Sequence, residues 1–269
     1  MEKSDVRRHR NRQSQWTDIA KFLLVIAGMV WLAVRGTEKL GYNWQWYRIP
    51  RYIFSFENGK FTAGPIIEGL IVTFQITGFS FILASVFGLI AAFSRLSDSF
   101  AAKIPARIYL ELIRNTPLLV QLLFIYFVLS PIFDISRFAS AVLALSLFEG
   151  AYASEIFRAG ILSIPRGQWE AAYSLGMNKA QTYRHIILPQ AVRKILPPLA
   201  GQAVSLIKDS ALVSTIAIYD LTMQGQIIIA ETYLTFEIWF TIAAIYLLIT
   251  ATLSFCVRIM EKHLKKGLT

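Results

Sequence analysis

Residues Pro65–Phe93 read PIIEGLIVTFQITGFSFILASVFGLIAAF. Glu68 is the only charge, and it stands near the start. A helix rising 1.5 Å per residue needs about 20 mostly apolar residues to cross a hydrocarbon core about 30 Å thick, and this run is longer. Its apolar residues are continuous rather than alternating, which predicts a membrane-spanning helix and not a barrel strand. Five further segments read the same way: Trp16–Val34, Pro117–Phe133, Phe138–Phe157, Pro198–Ile218 and Ile238–Val257. The expected fold class is an all-α membrane protein with about six transmembrane helices.

Composition agrees. Of 269 residues, 55% are hydrophobic and only 16% are charged, and the mean hydropathy is +0.50. A soluble domain carries about 25% charged residues, and a soluble core in a chain this size cannot hide so much apolar surface. The net charge of +10 raises nucleic acid as a partner, but its distribution argues against it. With six spans and both ends in the cytoplasm, 18 of the 27 Lys and Arg fall in inside segments, 6 in outside segments and 3 (Lys21, Arg114, Lys208) in or beside spans. That is the positive-inside bias. The tail Arg7-Arg8-His9-Arg10-Asn11-Arg12 then reads as a topology anchor able to meet membrane lipid phosphates, with no nucleic-acid role.

The first span is the least regular. Only Phe22–Val34 is free of charge, between Lys21 and Arg35, a length that also suits the core of a signal peptide. The chain continues Arg35-Gly36-Thr37-Glu38 without a small-x-small cleavage site. A retained helix is expected, with Lys21 snorkelling and Trp16 and Trp31 near the interfaces. The outside segment after it, Gly36–Gly64, carries Trp44, Trp46, Tyr47 and Tyr52, residues that favour the membrane interface.

Catalytic chemistry is not indicated. Cys256 is the one cysteine, and His9, His185 and His263 are scattered without metal-ligand spacing. No metal site and no nucleophile–base pair is expected. No G-x-x-x-x-G-K-[ST] loop is present; Gly59-Lys60 is followed by Phe61 and lacks the upstream glycine. Any ATP-driven step therefore requires another polypeptide.

The inside segment Ser94–Arg107 is short and basic, and Ser130–Arg137 reads as a tight outside turn around Pro131 and Asp134. The longest inside segment, about 161–190, is mixed polar and apolar. Pro165 and Gly167 predict a helix from Gln168 or Trp169, and Gly176 predicts its left-handed C-terminal cap. A second helix, Lys179–Leu188, is expected to stop before Pro189. The result is a helical hairpin below the bilayer. DNA-binding proteins also use such hairpins, but this one lies between two membrane spans.

That hairpin reads Glu170-Ala171-Ala172-Tyr173-Ser174-Leu175-Gly176, then nine residues, then Ile186-Ile187-Leu188-Pro189. It resembles the EAA loop of ABC-type importer permeases, whose pattern is E-A-A, three residues, G, nine residues, I-x-L-P. Glu111–Gln121, Ala151–Ile161 and Lys208-Asp209-Ser210-Ala211-Leu212 are similar to segments of polar amino acid permeases, although that family more often has Lys-Asp-Thr-Ser-Leu at the last. The resemblance covers roughly 65–257. It implies a five-helix permease core, to which the N-terminal helix is an addition, in a bacterial cytoplasmic (inner) membrane. It also implies partners: an ABC ATPase subunit dimer holding ATP and Mg, a second permease subunit (homodimer or heterodimer), an extracytoplasmic amino acid-binding protein, and a polar amino acid as substrate. No cofactor is expected on this chain. The organisation is then a basic tail 1–15, an N-terminal helix 16–34, an outside loop 35–64, the core 65–257 with its coupling loop 161–190, and a basic tail 258–269.

Residue chemistry gives the hairpin a mechanical reading. Ala171 and Ala172 permit close approach, Gly176 supplies a backbone shape other residues reach at a cost, and Glu170 can pair with a basic or polar partner group. Ile186, Leu188 and Pro189 complete the pattern of this ATPase-coupling element. Within the spans, charges cost at least a few kcal/mol each and so face an interior. Glu149, among Ala144, Ser146, Gly150 and Ala151, reads either as a carboxylate for a substrate cation or as an ion-pair partner of Lys208. Lys208 and Asp209 interrupt the fifth span, which predicts a bend or break near a substrate pathway. Arg114 can fork to a carboxylate or hold an interface, and Glu155 can pair with Arg158 one turn on. The alternatives to an ATP-driven permease are a secondary, ion-coupled amino acid carrier and a membrane-embedded enzyme or scaffold.

Overall fold

A computed structural model describes residues 17–32, 34–36, 41–57 and 60–266. Residues 1–16 (the N-terminal tail and Trp16), Ala33, 37–40, 58–59 and the last three residues lie outside them. The chain divides into two units, Met1–Trp46 and Tyr47–Thr269. The first holds helix α1, Thr17–Gly36, long and apolar enough to cross a membrane.

The second unit opens with a short helix α2, Pro50–Ile53, and a small antiparallel hairpin, β1 (Phe54–Glu57) with β2 (Lys60–Ala63), in register Phe54 to Ala63. Helix α3 follows, Pro65–Leu96, with a proline in its first turn where no N–H partner is needed. It packs along α7, Arg137–Leu162, more extensively than any other pair. Small residues allow that approach. A Cβ at Gly88 of α3 would come within 2.8 Å of the Ala153 Cβ and 3.0 Å of the Gly150 carbonyl on α7. Ala84, Ala91 and Ala92 are also buried on α3: the Ala84 carbonyl lies 3.2 Å from where a Cβ at Gly150 would stand, and Ala91 and Ala92 cluster with Ala151 and Ala153. Without a hydrophobic drive between helices in lipid, such contact is what joins spans.

The short basic segment Ser94–Arg107 is helical at both ends. Helix α3 continues to Leu96, and helix α4 spans Phe100–Arg114 with Ser99 accepting from the Ala102 N–H as its cap. The chain then turns by 107° into Leu118–Phe133. This stretch is α5 (Leu118–Phe124), a π turn (Ile125–Leu129) and α6 (Ser130–Phe133). The bend is pinned by Gln121, whose amide donates to the carbonyls of Ile113 (2.8 Å) and Thr116 (3.0 Å) and to the Thr116 hydroxyl (2.7 Å). Pro117 stands at the corner as the N-cap of α5, its φ held at −64° by its ring and its ψ extended at 139°. The outside turn is tighter than Ser130–Arg137, because α6 occupies most of it and Asp134 takes a left-handed φ of 52°.

Helix α8, Arg166–Ser174, begins slightly before the expected Gln168. The second helix of the hairpin does not stop at Pro189. Helix α9 (Lys179–Thr182), a π turn (Tyr183–Ile187) and α10 (Leu188–Asp209) run on continuously. The Leu188 N–H reaches back five residues to the Tyr183 carbonyl. This wider turn lets the chain pass a proline that an α-helical turn would reject. Pro197 and Pro198 lie inside α10 and do not begin the span.

At Asp209 the helix tightens to 3₁₀ over Ser210–Ile216 without breaking. The break expected at Lys208 and Asp209 falls further on, at Ala217, whose φ is 54°. There the direction changes by 48° into helix α11, Leu221–Thr232. Arg137, at the start of α7, donates to the Ala217 carbonyl at 2.9 Å and holds that break. Helix α12, Thr235–Lys266, closes the described chain. The described residues thus hold four helices long and apolar enough to cross a membrane, or six if each bent pair is one span. The chain is an all-α membrane protein in all but its small hairpin.

Candidate functional site

The hairpin 161–190 is built by local rules. Gly176 takes φ +76°, its N–H bonds the Tyr173 carbonyl (2.9 Å), and the Met177 N–H bonds the Ala172 carbonyl (3.1 Å). This 5→2 and 6→1 pair is the Schellman closure of α8. Two residues later Asn178 accepts from the Gln181 N–H and Gln181 accepts from the Asn178 N–H, both at 2.9 Å. This reciprocal capping box starts α9. With both ends satisfied, the corner 175–178 has a fixed shape.

One face of the hairpin is anchored. Ile161, Ile164, Ile187, Ala191 and Ile195 form a buried cluster with Phe157, and Trp169, Tyr183 and Ile186 pack against it. The Trp169 and Tyr183 rings meet edge to face at 5.1 Å. Ala172 points inward and is buried. The other face is open: Glu170, Ala171, Gly176 and Pro189 are exposed, and beside them Tyr173 and Leu175 are 48% and 80% exposed. Of the residues in the sequence pattern, Ala172 and Ile186 therefore support the hairpin from within, Leu188 is half-buried, and the rest form a free apolar surface with one carboxylate. Tyr173 and Leu175 escaped the sequence reading because they sit between the fixed positions of the pattern.

A second polar group lies within the spans. Glu149 on α7 is 1% exposed. One carboxylate oxygen accepts a hydrogen bond from the Gln202 amide on α10, and Oε1 has no partner. Asp209 lies against the same carboxylate. Gln202 and Asp209 stand seven residues apart, two turns, so they share one side of α10. Lys208 is rotated off that side and is exposed. No salt bridge joins it to Glu149 among the described residues, so of the two readings of Glu149 the ion pair with Lys208 is not formed. The structure brings Glu149 and Asp209 together, adds Gln202, and leaves Lys208 on another face.

Arg114 is elsewhere, at the inner ends of α3 and α7. Glu155 there gathers three guanidinium groups: Arg95 at 2.7 Å, Arg114 at 3.2 Å and Arg158 at 3.3 Å. The Arg114 guanidinium also stands 5.8 Å over the Tyr152 ring. The pairing with Arg158 was legible at i, i+3; Arg95 comes from another helix and was not. No group of three His, Cys, Asp or Glu able to hold a metal occurs among the described residues.

The described residues thus form a polytopic helical bundle with a polar centre and a rigid, partly apolar hairpin at one end. Residues 84–269 match the family described as binding-protein-dependent transport system inner membrane component. The chain is 41% identical over 203 residues to the glutamine transport system permease protein of Escherichia coli strain K12, covering 74% of this chain and 93% of that protein. It is 43% identical over 206 residues to the L-cystine transport system permease protein of Bacillus subtilis strain 168, covering 75% and 88%. A crystal structure of an amino acid ABC transporter with histidines superposes with a TM-score of 0.70 at 42% identity, covering 74% of this chain and 94% of that one. An inward-facing methionine ABC transporter shares the fold at 16% identity, with a TM-score of 0.64, covering 74% and 96%.

The chain belongs to the binding-protein-dependent transport system inner membrane component family. It is a multi-pass inner-membrane permease of an ABC importer, a family that works with ATPase and binding-protein partners. The ion-coupled carrier reading finds no support among these relatives.

Proposed function

We propose that this chain is one of two permease subunits that together import a polar amino acid, each receiving the stroke of an ATPase through the hairpin 161–190. The observation that carries this reading is the open face of a hairpin whose two helix ends are both capped. Glu170, Ala171 and Gly176, flanked by Tyr173 and Leu175, form the contact surface for the ATPase, with Pro189 at its border. Ala172, Ile186 and Leu188 transmit the push into the cluster around Ile187 and Ile161. Relatives named for glutamine and L-cystine support an amino acid as cargo. ATP and Mg²⁺ are held by the ATPase, consistent with the lack of a phosphate-cradling loop in this sequence.

The substrate pathway runs past the Glu149–Gln202–Asp209 group, where carboxylates meet the ammonium group of the amino acid. Lys208, exposed on an adjacent face of α10, faces the second permease subunit or the pathway between the two, because a lysine turned to lipid at that depth costs several kcal/mol. Arg114 borders the inner mouth through its pairing with Glu155. The test is uptake by the reconstituted transporter with Glu170→Lys or Gly176→Leu in this chain. Both variants insert in the membrane but lose ATP-dependent uptake and hold the ATPase weakly. Normal uptake in both contradicts the reading.

A further inference from the structure

Helix α4 has three faces. Ala106 and Leu110 are buried, with Tyr109 and Ile113 packing beside Ala91 and Ala151. Phe100, Ile104, Ile108 and Leu112, four residues apart, form a stripe that is 76, 39, 53 and 62% exposed. Lys103, Arg107 and Arg114, with Glu111, form the third face. At about 100° per residue the apolar stripe and the basic face lie side by side.

The 107° turn between α4 and Leu118–Phe133 sets the orientation. With Leu118–Phe133 crossing the bilayer, α4 lies close to the membrane plane. Its depth is also fixed: Arg114 joins Glu155 at the inner ends of the spans, and Asp98, just before α4, meets Lys179 of the coupling hairpin at 3.2 Å. An in-plane helix with adjacent apolar and basic faces belongs to the headgroup boundary. Between α3 and α4 lies an open apolar cavity of about 380 Å³, lined by Phe87, Ile90, Ala91, Pro105, Tyr109 and Leu147.

We propose that α4 is a docking site for anionic phospholipid of the inner leaflet. Lys103 and Arg107 hold headgroup phosphates, the Phe100–Leu112 stripe enters the acyl layer, and an acyl chain fills the α3–α4 cavity. Neither Lys103 nor Arg107 forms a salt bridge among the described residues. The one carboxylate on their face, Glu111, already accepts from Asn115 at 3.0 Å. A second copy of this chain would bring the same positive face and be repelled; an anionic lipid complements it. Because α4 runs from the Asp98–Lys179 contact to the Arg114–Glu155 cluster, the lipid steadies the element against which the coupling hairpin moves.

The test uses the whole transporter, with its ATPase subunits, in nanodiscs of phosphatidylcholine with or without phosphatidylglycerol. Phosphatidylglycerol stimulates ATP hydrolysis severalfold in the wild type. In the Lys103→Gln/Arg107→Gln double variant that stimulation falls at least by half, while the rate in phosphatidylcholine is unchanged. A second readout is independent of activity. A bimane label on Ile108→Cys, in a Cys256→Ser background, is quenched more by brominated phosphatidylglycerol than by brominated phosphatidylcholine. Undiminished stimulation in the double variant overturns the proposal, as does an absence of stimulation in the wild type or equal quenching by the two lipids. An unquenched label with copy-to-copy disulfides through residue 108 also overturns it, by making the second permease the occupant.

Discussion

Gln202 on α10 donates a hydrogen bond to the carboxylate of Glu149 on α7, deep within two spans. This bond ties the helix that continues from the coupling hairpin to the helix that precedes it. Any movement of α10 against α7 must break or remake it.

Glu149→Gln preserves the shape and removes the charge. The expected result is an assembled transporter with uptake reduced at least tenfold, measured with radiolabelled amino acid in proteoliposomes. Unchanged uptake makes Glu149 a structural group only.

Gln202→Leu deprives a buried carboxylate of its donor while Oε1 already lacks one. Leaving a buried polar group unsatisfied costs about 1–3 kcal/mol. The melting temperature of the purified permease in detergent is therefore expected to fall by several degrees, more than for Gln190→Leu, whose side-chain partner Gln168 is exposed to water.

Glu155 is the single anion among Arg95, Arg114 and Arg158. Glu155→Gln leaves three guanidinium groups facing one another, so it destabilises the purified protein more than Arg158→Gln, which removes the longest of the three contacts. Thermal unfolding of the two variants side by side checks the order. The partial exposure of all four side chains keeps each effect to about 1 kcal/mol.

Gly88→Val places two methyl groups where a single Cβ already comes within 2.8 Å of Ala153. The α3–α7 seam cannot widen without parting the largest contact in the fold. The variant is expected to be degraded or to aggregate, seen as loss of the monodisperse peak in size-exclusion chromatography, whereas Gly78→Val, at a site with open space around its Cβ, is tolerated.

Some elements were legible in sequence because one constraint dominates them. Bilayer thickness forces long apolar runs, so α3, α7 and α12 stand out regardless of tertiary context. Pro165 and Gly176 act within a single turn, which is why the first hairpin helix and its left-handed cap could be read locally. Helix α4 was not legible as a helix: Lys103, Arg107 and Glu111 interrupt its apolar stripe, and only the basic character of the segment stood out. Pro189 misled for a related reason. The rule that proline ends a helix assumes α-helical hydrogen bonding, and the π turn at Tyr183–Ile187 changes that bonding. Glu149 was correctly placed inside the bundle by its small neighbours, but its partner depends on the rotation of α10, which no local pattern encodes. Gln202 could have been found by asking which polar residue lies two turns before Asp209.

Leu175 is 80% exposed at the corner of the hairpin, so a photocrosslinker placed at that position reads what the hairpin touches. In inverted membrane vesicles containing the whole transporter, the crosslink is expected to go to the ATPase subunit, with a yield that changes on adding ATP. A crosslink to no ATPase subunit, or a residue 175 reached by impermeant thiol reagents only from the outer side, would contradict the coupling role of the hairpin.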